Sequence, residues 1–160
     1  MISERTLQSD ELRAVGCVAI ESSILDRLLE AIICDACGFD SVKQELFTGK
    51  LMFAAKADAV KEILLPKLRS KKRRDRLTEL HAAMKLANSQ RVTALHGQWQ
   101  WESSREPHDI ADGRLYRAVS THKKRRVTAS QLMSIAHSLS AVHREMQLFY
   151  LPMIRRRKSH

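Results

Sequence analysis

The stretch SDELRAVGCVAIESSILDRLLEAIICDAC, residues 9–37, decides the fold class. Its apolar residues Leu12, Val15, Val18, Ile24, Leu25, Leu28, Leu29, Ile32 and Ile33 recur at steps of three and four. That is the period of a helix turning one face to a core. Gly38 follows as a natural C-terminal stop, because a residue without Cβ enters the left-handed region at little cost.

The same period continues downstream. Asp40 and Ser41 can cap a short helix carrying Val42, Leu46 and Phe47, ended by Gly49. A third helix over about 51–65 has Phe53, Ala57, Val60, Ile63 and Leu64 on its apolar side, and Pro66 ends it. A fourth, over about 72–96, carries Leu77, Leu80, Met84, Ala87, Val92 and Leu95 and closes at Gly97. Residues 98–127 read differently. Gln98-Trp99-Gln100-Trp101 alternates as a strand does, Leu115–Val119 is a second strand candidate, and the polar segment between them reads as a loop. Thr128 and Gln131 fit a capping box opening a last helix with Leu132, Ile135, Ala136, Leu139, Val142, Met146 and Phe149. Pro152 is expected to end that helix, leaving residues 155–160 as a basic tail. The expected fold is all-α: an up-and-down bundle of four to five helices with a small β-hairpin insertion at about 98–127, in one domain over residues 1–154.

Composition agrees. The 160 residues include only 5 Gly and 3 Pro, which excludes collagen-like and low-complexity chains. Eight aromatic residues are few for a β-sandwich. The length is enough to bury a core without disulfide or metal staples. No run of about 18 apolar residues exists, so no transmembrane helix is expected. Met1–Arg5 lacks the basic start and apolar core of a signal peptide, and Cys17, Cys34 and Cys37 are an odd number, so a reducing, cytoplasmic setting is expected. The cysteines read as small buried hydrophobes, since Cys34-x-x-Cys37 has no second ligand pair at zinc spacing.

The charge is unevenly placed. The chain carries 28 Lys+Arg against 18 Asp+Glu, a net +10. Residues 67–76 hold seven basic residues, 123–126 hold four and 155–158 hold four. Outside these tracts 13 basic residues face 17 acidic ones, so a mildly acidic body bears three cationic patches. Clustered Lys and Arg mark a polyanion partner, because phosphate contacts release counterions. RNA or another nucleic acid is the expected partner; an anionic membrane surface is the competitor. The residues expected to hold RNA are Lys71, Lys72, Arg73 and Arg74, with Lys123, Lys124, Arg125 and Arg126.

No Gly-rich phosphate loop, paired zinc ligands or His-Glu-x-x-His element is present, and no metal or other cofactor is expected. Four Arg-x4-His pairs occur, but Arg91/His96 alone sits at a helix end before a glycine. The segment Asn88-Ser-Gln-Arg91-Val-Thr-Ala-Leu-His96-Gly97-Gln-Trp99, with the helix order around it, resembles the HEPN superfamily of small helical bundles. The family commonly has Asn directly after the arginine; here the residue is Val92. The resemblance implies a homodimer and a metal-independent endoribonuclease, a toxin or defence effector with an antitoxin partner unknown. It makes Arg91 and His96 the catalytic pair, His96 moving a proton at neutral pH and Arg91 binding the scissile phosphate. The geometry bears on this. Five residues of helix turn by about 500° and rise about 7.5 Å, so the two side chains do not stack on one face. They converge if the helix distorts near Gly97 or if two copies of the helix end meet across a dyad, and the resemblance implies the second. The alternative is a non-catalytic nucleic-acid-binding or regulatory protein of the same fold.

Overall fold

The computed structural model describes residues 9–95, 98–102, 114–120 and 123–157. Five α-helices lie among them: α1 (Ser9–Cys37), α2 (Ser41–Phe47), α3 (Phe53–Leu64), α4 (Lys71–Leu95) and α5 (Ala129–Arg157). A 3-10 turn at Leu65–Lys67 takes in Pro66 after α3. Local chemistry sets several boundaries. Gly38 has φ +69°, and the Phe39 N–H donates to the Cys34 carbonyl at 2.9 Å. Asp40 caps α2 by accepting from the Lys43 N–H at 2.9 Å. Before α5, Thr128 Oγ1 accepts from the Gln131 N–H at 3.2 Å while Gln131 Oε1 accepts from the Thr128 N–H at 3.0 Å. That is the reciprocal capping box.

One core runs through the long helices. It contains Ala14, Val18, Leu25, Leu29 and Ile32 of α1, Phe53, Ala57, Val60 and Leu64 of α3, and Leu77, Leu80, Met84, Ala87 and Ala94 of α4. Leu132, Ala136, Leu139, Met146, Phe149 and Tyr150 complete it from α5. The steps along these series are three, four or seven, apart from the adjacent Phe149 and Tyr150, the spacing of helices packed side by side. Leu12 and Ile24, expected in the α1 stripe, are exposed, because they fall off the line through Val18, Leu25 and Leu29. Val92 is likewise exposed, and Ala94 takes the inward position. Val42, Leu46 and Phe47 of α2 also face solvent, although Phe47 touches the Phe39 ring with centroids 5.5 Å apart.

Cross-helix contacts give the directions. Lys56 of α3 reaches Asp26 and Glu30 of α1, and Lys67 just beyond α3 reaches Ala36 at the end of α1. α1 and α3 therefore run parallel. Arg76 of α4 pairs with Glu145 of α5, and Arg73 reaches Phe149 of α5, so α4 and α5 are antiparallel. Asp58 of α3 meets His81 of α4 while Phe53, earlier in α3, meets Arg91, later in α4, so these two are antiparallel as well. The bundle is thus not strictly up-and-down. α2 and the segment after it carry the chain back, so α1, α3 and α5 point one way and α4 the other.

Two further expectations are corrected. The insertion is a three-stranded antiparallel sheet rather than a two-stranded hairpin: β1 (Gln98–Glu102), β2 (Arg114–Ser120) and β3 (Lys123–Arg126), in the order β1-β2-β3. Tyr116 pairs with Arg126, and the register slips between Ala118 and Ser120. The basic run thus serves as an edge strand, a place where charged side chains are tolerated and oppose further pairing. Pro152 lies inside α5, which continues to Arg157. A proline removes the bond to the carbonyl four residues back and crowds it. Here that carbonyl is Leu148's, and Leu148 and Pro152 are both exposed, so water can replace the lost donor. Arg73 Nη2 also donates to the adjacent Phe149 carbonyl at 3.2 Å.

Candidate nucleic-acid interface

Arg91 occupies a core-seam position. Leu77, Leu80, Met84, Ala87 and Ala94 of α4 are buried, and residue 91 falls in the same alternation between Ala87 and Ala94. The side chain is half-buried. Its Nη1 donates to Ser22 Oγ of α1 at 3.4 Å, and its Cζ lies 5.9 Å from the ring centroid of Phe53, the first residue of α3. Its Nε is buried with no hydrogen-bond partner among the described residues. No carboxylate among those residues pairs with it either. One turn earlier, Asn88 Oδ1 is buried and also lacks a partner among the described residues. A guanidinium withdrawn from water with no counter-charge is costly unless something anionic meets it.

The surroundings add to this. α3 and α5 both begin close to the level of Arg91, because each runs opposite to α4. The α5 start is capped by Thr128 and Gln131, but Met52 before α3 makes no side-chain cap bond. The first N–H groups of α3 therefore lack a side-chain acceptor, next to a cation that lacks an anion. Both features favour negative charge.

Other expected site residues fall elsewhere. His96 lies outside the described residues. Lys123, Lys124, Arg125 and Arg126 are placed by their backbone in β3. Lys71, Lys72, Arg73 and Arg74 form the first turn of α4. Arg74 and Arg91 are 17 residues apart on one helix, about 25 Å. The 67–76 tract therefore does not flank Arg91 in space; it lies at the opposite end of the bundle.

That tract also divides in two. Lys67 Nζ donates to the Ala36 carbonyl at 2.9 Å, capping the end of α1. Arg73 binds the Phe149 carbonyl and lies 5.2 Å from the Phe149 ring centroid. Arg76 bridges Glu79 at 3.0 Å and Glu145 at 2.6 Å, which holds its pKa above the ordinary arginine value. These three hold the bundle together. α1, α3 and α5 all turn their C-terminal ends this way, so cations here also offset three negative dipole ends. Arg69, Lys71, Lys72 and Arg74 are exposed instead.

No family model matches the chain, and no curated protein or solved structure matches it.

The remaining chemistry is structural. His81 Nε2 lies 2.6 Å from Asp58 Oδ1, and Lys85 Nζ is 3.3 Å from the same oxygen. Those two bonds pull the Asp58 carboxyl below its usual pKa. Cys34 is buried and Cys17 partly so, but Cys37 is exposed, against the expectation that all three fill the core. Burial pushes the Cys34 thiol pKa up, partly countered by a hydrogen bond with Thr48. Among the described residues no three His, Cys, Asp or Glu side chains gather as metal ligands, and no helix is long and apolar enough to cross a membrane.

A buried ion cluster is absent from the sequence reading. Lys56 is 3 % exposed; its Nζ lies 2.7 Å from Asp26 Oδ2 and 2.5 Å from Glu30 Oε1. Burial pulls its pKa down, but the hydrogen bonds and charges of the two carboxylates outweigh that and leave it raised. Ser22, Asp26 and Glu30 follow one another at steps of four along α1, each meeting a residue of α3 or α4. A signal existed: Lys56 and Arg91 both sit where the helical period requires an apolar residue.

Proposed function

We propose that this chain is a metal-independent endoribonuclease of HEPN type, working as a homodimer, with Arg91 and His96 as its catalytic pair. The observation that carries the proposal is Arg91 itself. It is held by Ser22 and Phe53 at the start of α3, it is half-buried, and no carboxylate among the described residues neutralises it. Such a group is prepared for an anion. A scissile phosphate would supply one, and Arg91 would stabilise the charge that builds on its non-bridging oxygens. One His96 would take the proton of the ribose 2′-OH as the 2′-oxygen attacks phosphorus, and the His96 of the second copy would protonate the 5′-oxygen as it leaves, giving a 2′,3′-cyclic phosphate and a 5′-hydroxyl. Five residues of ideal helix would turn the two side chains away from each other, so a second copy is what would complete the site. A toxin or defence role follows from the same chemistry, since such an enzyme would act on the cell's own RNA.

The test uses labelled RNA with purified protein in EDTA. Cleavage should fall by 100-fold or more in both Arg91→Ala and His96→Ala, the scale of losing a proton-transfer group or a charge-stabilising donor. His81→Ala should keep cutting, because His81 is engaged with Asp58 far along α4. Wild-type cleavage by His96→Ala would sink the proposal.

A second reading has its own support. The exposed cations at the first turn of α4 stand about 25 Å from Arg91 and need no catalytic site. Salt-sensitive RNA binding without cleavage would favour a non-catalytic nucleic-acid-binding protein.

A further inference from the structure

We infer that the bundle end opposite Arg91 is a second docking surface for RNA, one that engages consecutive phosphates of a strand laid across it. The inference rests on the ribonuclease reading only for the identity of the polyanion.

Lys67, Arg73 and Arg76 of the basic tract are bound to carbonyls and carboxylates of the bundle. Arg69, Lys71, Lys72 and Arg74 are exposed and make no ion pair among the described residues. Asp75 is the one acidic residue in the tract. Three of these four cations sit in the first turn of α4, which contains no acidic residue. They oppose the positive end of their own helix dipole and repel one another, an arrangement unfavourable to the isolated fold. An external polyanion reverses the sign of both effects.

Tertiary structure adds charge that sequence separates by about 80 residues. α5 passes the level of Arg73 at Phe149 and continues through Arg155, Arg156 and Arg157. Two of the three cationic tracts thus arrive at one end of the bundle.

The form of the patch selects the occupant. Residues 71, 72 and 74 are splayed around the helix by successive 100° turns, so their ammonium and guanidinium groups cannot close on one phosphate. They can meet successive phosphates of a chain draped over the helix tip. Within the tract Leu68 and Leu77 are buried, but Leu148 and Leu151 of α5 are exposed at the same level, so an anionic vesicle is the competitor that the experiment must separate from RNA. The separation from Arg91 then sets a length. About 25 Å along α4 corresponds to roughly seven nucleotides at the ~3.4 Å spacing of a stacked strand. RNA of 12 nucleotides or more can touch both ends, and a tetranucleotide cannot.

The experiment is fluorescence anisotropy with a labelled single-stranded 20-mer RNA over a range of salt. The full chain is compared with the triple variant Lys71→Gln, Lys72→Gln, Arg74→Gln, whose fold is checked by circular dichroism. Removing three phosphate contacts should flatten the slope of log K against log salt by about two. A tetranucleotide, too short to span both ends, should show a smaller slope than the 20-mer with the full chain. The 20-mer carries 2′-O-methyl groups and cannot be cut, and cleavage of ordinary RNA by the triple variant is read separately, so loss of cleavage and loss of binding are separate results. An unchanged slope in the folded triple variant overturns the inference and leaves the cleavage proposal standing. So does loss of binding to phosphatidylserine vesicles with the RNA slope unchanged.

Discussion

Replacing Lys56 by methionine keeps the length of the side chain and removes its charge. The consequence can be worked from the contacts. Nζ lies 2.7 Å from Asp26 Oδ2 and 2.5 Å from Glu30 Oε1. At an effective dielectric of about 20, each attraction is roughly 6 kcal/mol. Desolvating the ions takes back several kcal/mol each, and the two carboxylates repel one another. Breaking a buried pair from one side costs about 3–5 kcal/mol, because the remaining charge is stranded. Asp26 keeps 32 % of its side-chain surface in water, so the low end, about 3 kcal/mol, is expected. With a urea m-value of about 2 kcal/mol/M, the unfolding midpoint of Lys56→Met should drop by about 1.5 M at pH 7. The pH dependence identifies the cause. Going up in pH, the raised Lys56 pKa means its contribution is complete below about 10.4 and fades as pH climbs through the higher folded-state value. A midpoint shift under about 0.3 M would refute the reasoning. So would a gap that stays the same size as pH rises from 7 through the raised Lys56 value.

The two described glycines of α1 and its end should respond with opposite signs. A Cβ on Gly38 or on Gly16 meets nothing within 4 Å, but Gly38 has φ +69° and Gly16 is inside a helix. Gly38→Ala should therefore cost about 1 kcal/mol in backbone strain, and Gly16→Ala should gain roughly 0.5–1 kcal/mol, both read by urea denaturation. Thr128→Ala removes one side of the capping box and should cost about 1 kcal/mol, a melting shift of about 2–4 °C by circular dichroism. Asp58 has a lowered pKa, so its contribution is present above the ordinary value near 3.9 and is lost as pH falls through the lower folded-state value. Asp58→Asn should thus be less stable than wild type at pH 6 and approach it in acid titration followed by fluorescence.

The sequence by itself determined the elements. Period-three-and-four apolar spacing placed α1, α3, α4 and α5 within a few residues, and Gly38, Asp40 and the Thr128/Gln131 box marked ends that depend only on neighbours a turn away. Pro152 misled because a helix can keep a proline when the orphaned carbonyl faces water, and facing is a tertiary property. Direction was equally illegible: a seven-residue helix and a short connection reverse the path, and it takes Lys56 against Asp26 and Glu30 together with Lys67 against Ala36 to show α3 parallel to α1. That one choice decided the electrostatics. It turns three helix C-termini toward the 67–76 tract, ties up Lys67, Arg73 and Arg76, and sends residues 155–157 to the same end. It also leaves Arg91 at the other end, in the seam between Ser22 and Phe53. Charge is a property of the chain, but the field around it depends on which ends meet, and helix packing alone sets that.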